Sequence, residues 1–148
     1  MDLTSTDSIR LTVPAAPAAV RIARAGAAGL ATRAGFTYHE VEQLRLAVGE
    51  AAALLAPGPD GDGTLTLTFD VEPDGLRIEL LLVDEGTTGG DHADADGTDG
   101  GGGRVPTPVP TVAAAVLDAA TDSWQVNHGG SRVVLHKRLS DTDADDDD

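Results

Sequence analysis

Glu50 is the residue of this sequence best placed to do chemistry. It lies in FTYHEVEQLRLAVGEAAALLA, Phe36 to Ala56, with Ala47 three residues before it and Leu54 four residues after. On a helix those two are its neighbours, which gives the carboxylate an apolar setting. A carboxylate so placed could take a proton from a hydroxyl or a water as a general base. Read alone, a single helical Glu is more often a surface residue. The second candidate is Asp84-Glu85-Gly86, which follows an apolar run. Asp84 could accept a hydrogen bond from a ligand or simply end a strand, and the residues leave both readings open.

Metal chemistry finds little support. The segment Asp91 to Gly97, DHADADG, has the composition of a calcium loop. No register in it supplies the oxygen ligands and mid-loop glycine of an EF-hand between helices, so it reads as solvated acid. His39, His92, His128 and His136 show no ligand spacing on one helix. The chain has no cysteine, which rules out thiolate sites and disulfides. No metal-binding residue is assigned. Trp124 opens a strand and reads as core packing or an interface anchor.

The elements that must position Glu50 follow from periodicity. Thr37 and Glu40 have capping-box spacing. Val41, Leu44, Val48, Ala51 and Leu55 then form one apolar stripe, and Pro57-Gly58 stops the helix. Before it, Ile9 to Val13 alternates as a half-buried strand. Pro17 opens a helix with Val20, Ala23, Ala27, Leu30 and Ala31 on one face, Arg21, Arg24 and Arg33 exposed, and Gly35 as C-cap. After it, Thr64 to Asp70 and Leu76 to Val83 form a hairpin across Glu72-Pro73-Asp74-Gly75. The apolar run in the second of these strands suits a central position. Residues 84–110 hold almost nothing to bury and read as a long flexible loop. Thr111 is expected to cap a short helix with Val112, Ala115, Val116 and Ala119 inward. Ser123 to His128 and Ser131 to Leu139 are strands joined at Gly129-Gly130. Arg132, Lys137 and Arg138 are expected on a solvated face.

The order β-α-α-β-β-loop-α-β-β predicts an α+β two-layer sandwich, with a mixed, mostly antiparallel sheet and helices on one face. The expected organisation is a flexible N-terminus over 1–8, one domain over 9–139 containing the 84–110 loop, and a disordered acidic tail over 140–148. Net charge is −15, with acid concentrated in the loop and the tail. So few cations argue against binding nucleic acid through its phosphates. No signal peptide and no membrane-spanning run is evident, and a cytoplasmic protein is expected.

Leu44-Arg45-Leu46-Ala47-Val48-Gly49-Glu50-Ala51, the Val83-Asp84-Glu85-Gly86 segment and the closing Gly130 to Leu139 together resemble one family. It is that of the anti-sigma-factor serine kinases of bacterial partner-switching systems. Their ATP-binding fold is shared with histidine kinases, gyrase and Hsp90. The resemblance spans roughly residues 9–139. It implies that Glu50 is the catalytic Glu of the helix motif, which activates a hydroxyl or water. It implies that Asp84, with Gly86, reads the adenine amino group. The family's magnesium-holding Asn falls at Leu54, and its second motif glycine at Thr88. Its phosphate-cradling Gly-x-Gly falls near Thr111 and Ala113. ATP and magnesium are therefore expected to bind weakly or not at all.

The resemblance thus implies a degenerate member that sequesters a sigma factor by protein binding and is countered by an anti-anti-sigma factor. Homodimerisation is common in that family. Two alternatives stand beside it. One is an active ATP-dependent serine kinase acting on the anti-anti-sigma factor. The other is a fold relic with a different protein partner.

Overall fold

The computed structural model describes residues 7–55, 63–83, 105 and 108–140. Its order is β1 (Asp7–Pro14), α1 (Pro17–Ala34), α2 (Tyr38–Leu55), β2 (Thr64–Glu72), β3 (Gly75–Val83), α3 (Thr111–Ala120), β4 (Ser123–Asn127) and β5 (Arg132–Arg138). The strands form one sheet in the order β1-β2-β3-β5-β4. All four pairings are antiparallel, and β3 is central. This is the α+β two-layer arrangement that the element order predicts, with a sheet that is antiparallel throughout the described strands rather than mixed.

Alternation sets the two faces of the sheet. Leu65, Leu67, Phe69, Leu76, Ile78, Leu80, Val133 and Leu135 point to the helices and are buried. Helix α1 meets this layer with Ala19, Ala23, Ala27 and Ala31. Helix α2 adds Val41, Leu44, Val48, Ala51 and Leu55. With alanine as the main inward residue of α1, the two helices can approach closely, which suits a core poor in aromatics.

The helix ends behave as their sequences suggest. Gly35 takes a left-handed conformation (φ 101°), and Phe36 N–H donates to Ala31 O at 3.1 Å. That closes α1 in a Schellman-type turn and points the chain into α2. Thr37 N–H donates to Glu40 Oε1 at 2.8 Å, and Glu40 N–H donates to Thr37 Oγ1 at 3.2 Å. This is the reciprocal capping box, with Phe36 and Val41 both buried at staple positions. The β4–β5 connection is longer than the two-residue Gly129-Gly130 hairpin expected: pairing stops at Asn127 and Arg132, and His128–Gly130 forms a 3-10 turn in which Gly129 and Gly130 have positive φ (64° and 95°), which side chains disfavour.

Helix α3 departs from expectation twice. Thr111 is its first helical residue rather than its cap; Pro110 holds the cap position with extended backbone and no side-chain cap bond. The buried residues are Ala113, Leu117 and Ala120, not Val112, Ala115, Val116 and Ala119. Val112 is 74% exposed. The phase is set by Leu117, the one large side chain that can fill the space over the sheet, and Ala113 and Ala120 fall on its row.

Three further corrections follow from packing. Strand β1 runs past the Ile9 to Val13 alternation at both ends. Val105, in the stretch expected to bury almost nothing, is buried and its N–H donates to Gly130 O at 2.8 Å. Arg132 is not simply solvated. On the open face of the sheet Arg77 bonds Asp70 at 3.2 Å, lies 3.8 Å from Glu79, and Glu79 bonds Arg132. Lys137 and Arg138, being consecutive on a strand, point to opposite faces. Among the described residues no helix is long and apolar enough to cross a membrane.

Candidate functional site

Three elements direct their ends to one edge of the layer. At its N-terminus α2 is tied to the hairpin end of the sheet, because Glu40 Oε2 accepts from Ser140 N–H at 3.2 Å and Leu139 N–H donates to Asp74 O at 2.9 Å. Its C-terminal half therefore runs toward the other end, where Thr64 pairs with Val83. Glu50 and Leu54 lie on that half, one turn apart on the same face. Helix α3 runs the opposite way. Gln43 Nε2, near the start of α2, donates to Ala119 O at 3.5 Å, so Thr111 at the start of α3 lies toward the same end as Glu50. The end of β3, the second half of α2 and the first turn of α3 thus converge.

Each candidate residue takes its place in this frame. Glu50 is half-buried. Leu54 is half-buried and packs against the core. Its side chain offers no lone pair, and a hard cation needs oxygen ligands. Asp84 and Gly86 lie outside the described residues; β3 ends at Val83, immediately before them. Asp91 to Gly97 also lies outside. Val83 is 44% exposed, so with Val112 this end carries two exposed aliphatic side chains. The start of α3 keeps its free amides, but Thr111, Val112 and Ala113 carry side chains where glycines would admit a phosphate closely. Among the described residues no group of three or more His, Asp or Glu side chains could hold a metal ion. At this end α2 thus contributes the Glu50 carboxylate and, at Leu54, no oxygen ligand, which fits a magnesium–triphosphate pair poorly.

A separate cleft of about 470 Å³ lies at the hairpin end. Glu72, Asp74, Asp122, His136, Lys137 and Arg138 line it. It opens at the start of β3, whereas Val83 lies at that strand's other end, about 26 Å away for nine residues. It is therefore separate from the end of the layer where Glu50 lies.

Two contacts beside the candidate residues were not legible from the sequence. One is Arg24, whose side chain crosses from α1 onto α2. A Cβ built at Gly49 would stand 2.8 Å from Arg24 Nε and 3.2 Å from Cδ. Gly49, directly before Glu50, is the residue that lets the arginine lie there. A glycine inside a strong helical pattern is the sequence signal for such a close approach. The other is Glu40. Burial by itself would raise its carboxyl, but hydrogen bonds from Thr37 and Ser140 outweigh burial and hold it below its ordinary value. Trp124 is half-buried against the core, and its Nε1 donates to Asp118 Oδ1 at 2.7 Å, so its role here is to hold β4 to α3.

Sheet order, helix placement and the converging α2–β3–α3 end define an ATPase-like scaffold. Residues 13–137 match the family model of the histidine kinase-like ATPase domain, and the chain belongs to that family. It is similar to the serine-protein kinase RsbW of Bacillus subtilis, with 34% identity over 95% of this chain and 91% of that protein. It is also 37% identical over 86 residues to RsbW of Bacillus velezensis, and 35% identical over 81 residues to RsbW of Halalkalibacterium halodurans. Those two matches span about half of each relative, 52% and 49%.

Proposed function

We propose that this chain is a cytoplasmic anti-sigma regulatory factor that works by protein binding. It holds a sigma factor away from polymerase and is displaced by an anti-anti-sigma factor. Its nucleotide chemistry is eroded. The observation that carries this reading is Leu54, a hydrocarbon on the site-facing turn of α2, in a fold otherwise intact. Val112 at the start of α3 supports it, since an exposed aliphatic side chain there offers nothing to a phosphate.

The contact surface is the outer side of α1 and α2. Arg21, Arg24, Arg33 and Arg45 are exposed there, and so are Ile22 (53%) and Leu46 (56%). Arginine with isolated large aliphatics is the composition of a binding surface for an acidic protein partner. Binding of purified sigma factors to the purified chain, with and without the anti-anti-sigma protein, tests this. Capture of one sigma factor and its release by the second partner is expected. Capture of none would overturn it.

A second reading has its own support. Glu50 is retained, and the relatives reported above are named serine-protein kinases. In that reading Glu50 orients the hydroxyl of a partner serine, with Asp84 and Gly86 holding adenine. Transfer of labelled phosphate to an anti-anti-sigma protein separates the two.

A further inference from the structure

Strand register lays the open face of the sheet out in rows, and one row is centred on a glycine. Glu72 on β2 pairs with Gly75 on β3, and Gly75 pairs with Arg138 on β5. Glu72 and Arg138 therefore stand two strand spacings apart, about 10 Å, with no side chain between them. The gap is fixed, because a Cβ on Gly75 would run into the Lys137 carbonyl. This row forms part of the lining of the cleft of about 470 Å³ at the hairpin end. In the next row His136 pairs with Ser123 on β4, and both line the cleft.

Backbone bonds hold the walls. Asp122 N–H donates to His136 O at 2.9 Å, and Arg138 N–H donates to Asp122 Oδ2 at 2.7 Å. Leu139 N–H donates to Asp74 O at 2.9 Å. The cleft is thus shaped by the chain itself, and its volume is that of a small-molecule site.

Its charges are arranged unlike those beside it. On the same face Arg77 bonds Asp70 and lies near Glu79. Around the cleft, among the described residues, the side chains of Glu72, Asp74, His136 and Arg138 make no ion pair or hydrogen bond with one another. Acid stands on the β2–β3 side and base on the β5 side. A lone anion would meet a chain of net charge −15, and a lone cation would find carboxylates over much of the surface. A ligand carrying both charges gains from the separation found here.

We infer that this cleft binds a small zwitterion of dipeptide size, its ammonium at Glu72 and Asp74 and its carboxylate at Arg138. Side chains stand roughly perpendicular to a sheet, so a contact of about 2.8 Å at each end leaves about 4–5 Å between the charged ends of the ligand. In a single α-amino acid those ends are only about 2.5 Å apart, and one further residue adds up to about 3.8 Å. An arginine can meet a carboxylate with two parallel bonds. The inference rests on the cleft alone and not on the function proposed above.

Glycylglycine is the probe, titrated to about 50 mM into the isotope-labelled full chain. Amide signals of Gly75, Leu76, Ser123 and His136 to Arg138 should shift together and saturate with a dissociation constant of about 1–10 mM. N-acetyl-glycylglycine lacks the ammonium and glycylglycinamide lacks the carboxylate; each should bind at least about threefold more weakly. Glu72→Gln should abolish the preference for the free ammonium, and Arg138→Gln the preference for the free carboxylate. The same spectra show that both variants fold. Shifts that do not saturate, equal binding of the three peptides, binding of the acetylated peptide as tight as that of the parent, or shifts confined to other residues would overturn the inference.

Discussion

The side chain of Arg24 lies across Gly49, so that helix α1 reaches onto helix α2 one residue before Glu50. A glycine in the middle of a helix is less favourable than alanine by about 0.5–1 kcal/mol, and here it leaves room for the Arg24 side chain. It joins the arginine surface to the helix that carries the candidate base.

Gly49→Ala separates these roles. The new Cβ pushes aside the far end of a flexible side chain, so the helix gains what the arginine contact loses. Thermal unfolding should shift by no more than about 1 kcal/mol in either direction. Binding of an acidic partner should weaken several-fold, as it should in Arg24→Gln. Unchanged binding in both variants would remove Arg24 from the contact surface.

Glu40 holds the corner where α1, α2 and the end of β5 meet. Glu40→Ala removes acceptors from Thr37 and Ser140, and should cost about 1–2 kcal/mol in denaturant unfolding. Its carboxyl is held below the ordinary value of 4.5 in the fold. The stability this lends is complete above that value and is lost as pH falls through the lower folded value. Below about pH 4.5 the parent should therefore lose stability faster than Glu40→Gln. Parallel pH profiles would contradict this.

The phase of α3 is open to a direct comparison. Leu117→Ala should cost about 2–5 kcal/mol, because it empties a fully buried position. Val112→Ala should stay within about 0.5 kcal/mol, since that side chain is exposed. The reverse ranking would restore the inward face read from the valines.

At the hairpin end, Gly75 sits where β5 passes closest. A Cβ there would lie 2.3 Å from Lys137 O, a backbone atom that cannot swing away. Gly75→Ala should destabilise by about 1–3 kcal/mol, and Gly75→Val by more, in chemical denaturation.

Much of this architecture was readable from periodicity. The capping box of Thr37 and Glu40, the stripe through Leu44 and Val48 and the two hairpins are local patterns, and local patterns survive folding. What failed depended on long-range packing. Val112 and Val116 looked as apolar as Leu117, and only the space over the sheet chose between them. Val105 gained burial from a bond to Gly130, which lies far along the chain. Arg132 met Glu79 across a strand pairing that sequence spacing does not announce. Of the site, Glu50 and Leu54 were legible as helix neighbours. Arg24 over Gly49 was not, because it joins two helices.

We propose that Leu54, standing where a metal-holding amide would be needed, leaves this scaffold little hold on magnesium and triphosphate. Calorimetric titration of Mg-ATP into the purified chain, beside a Leu54→Asn variant, tests it most directly. The expected result is binding weaker than about 1 mM in the parent and at least about tenfold tighter in the variant. Micromolar binding by the parent, with phosphate passed to a serine of a partner protein, would contradict it.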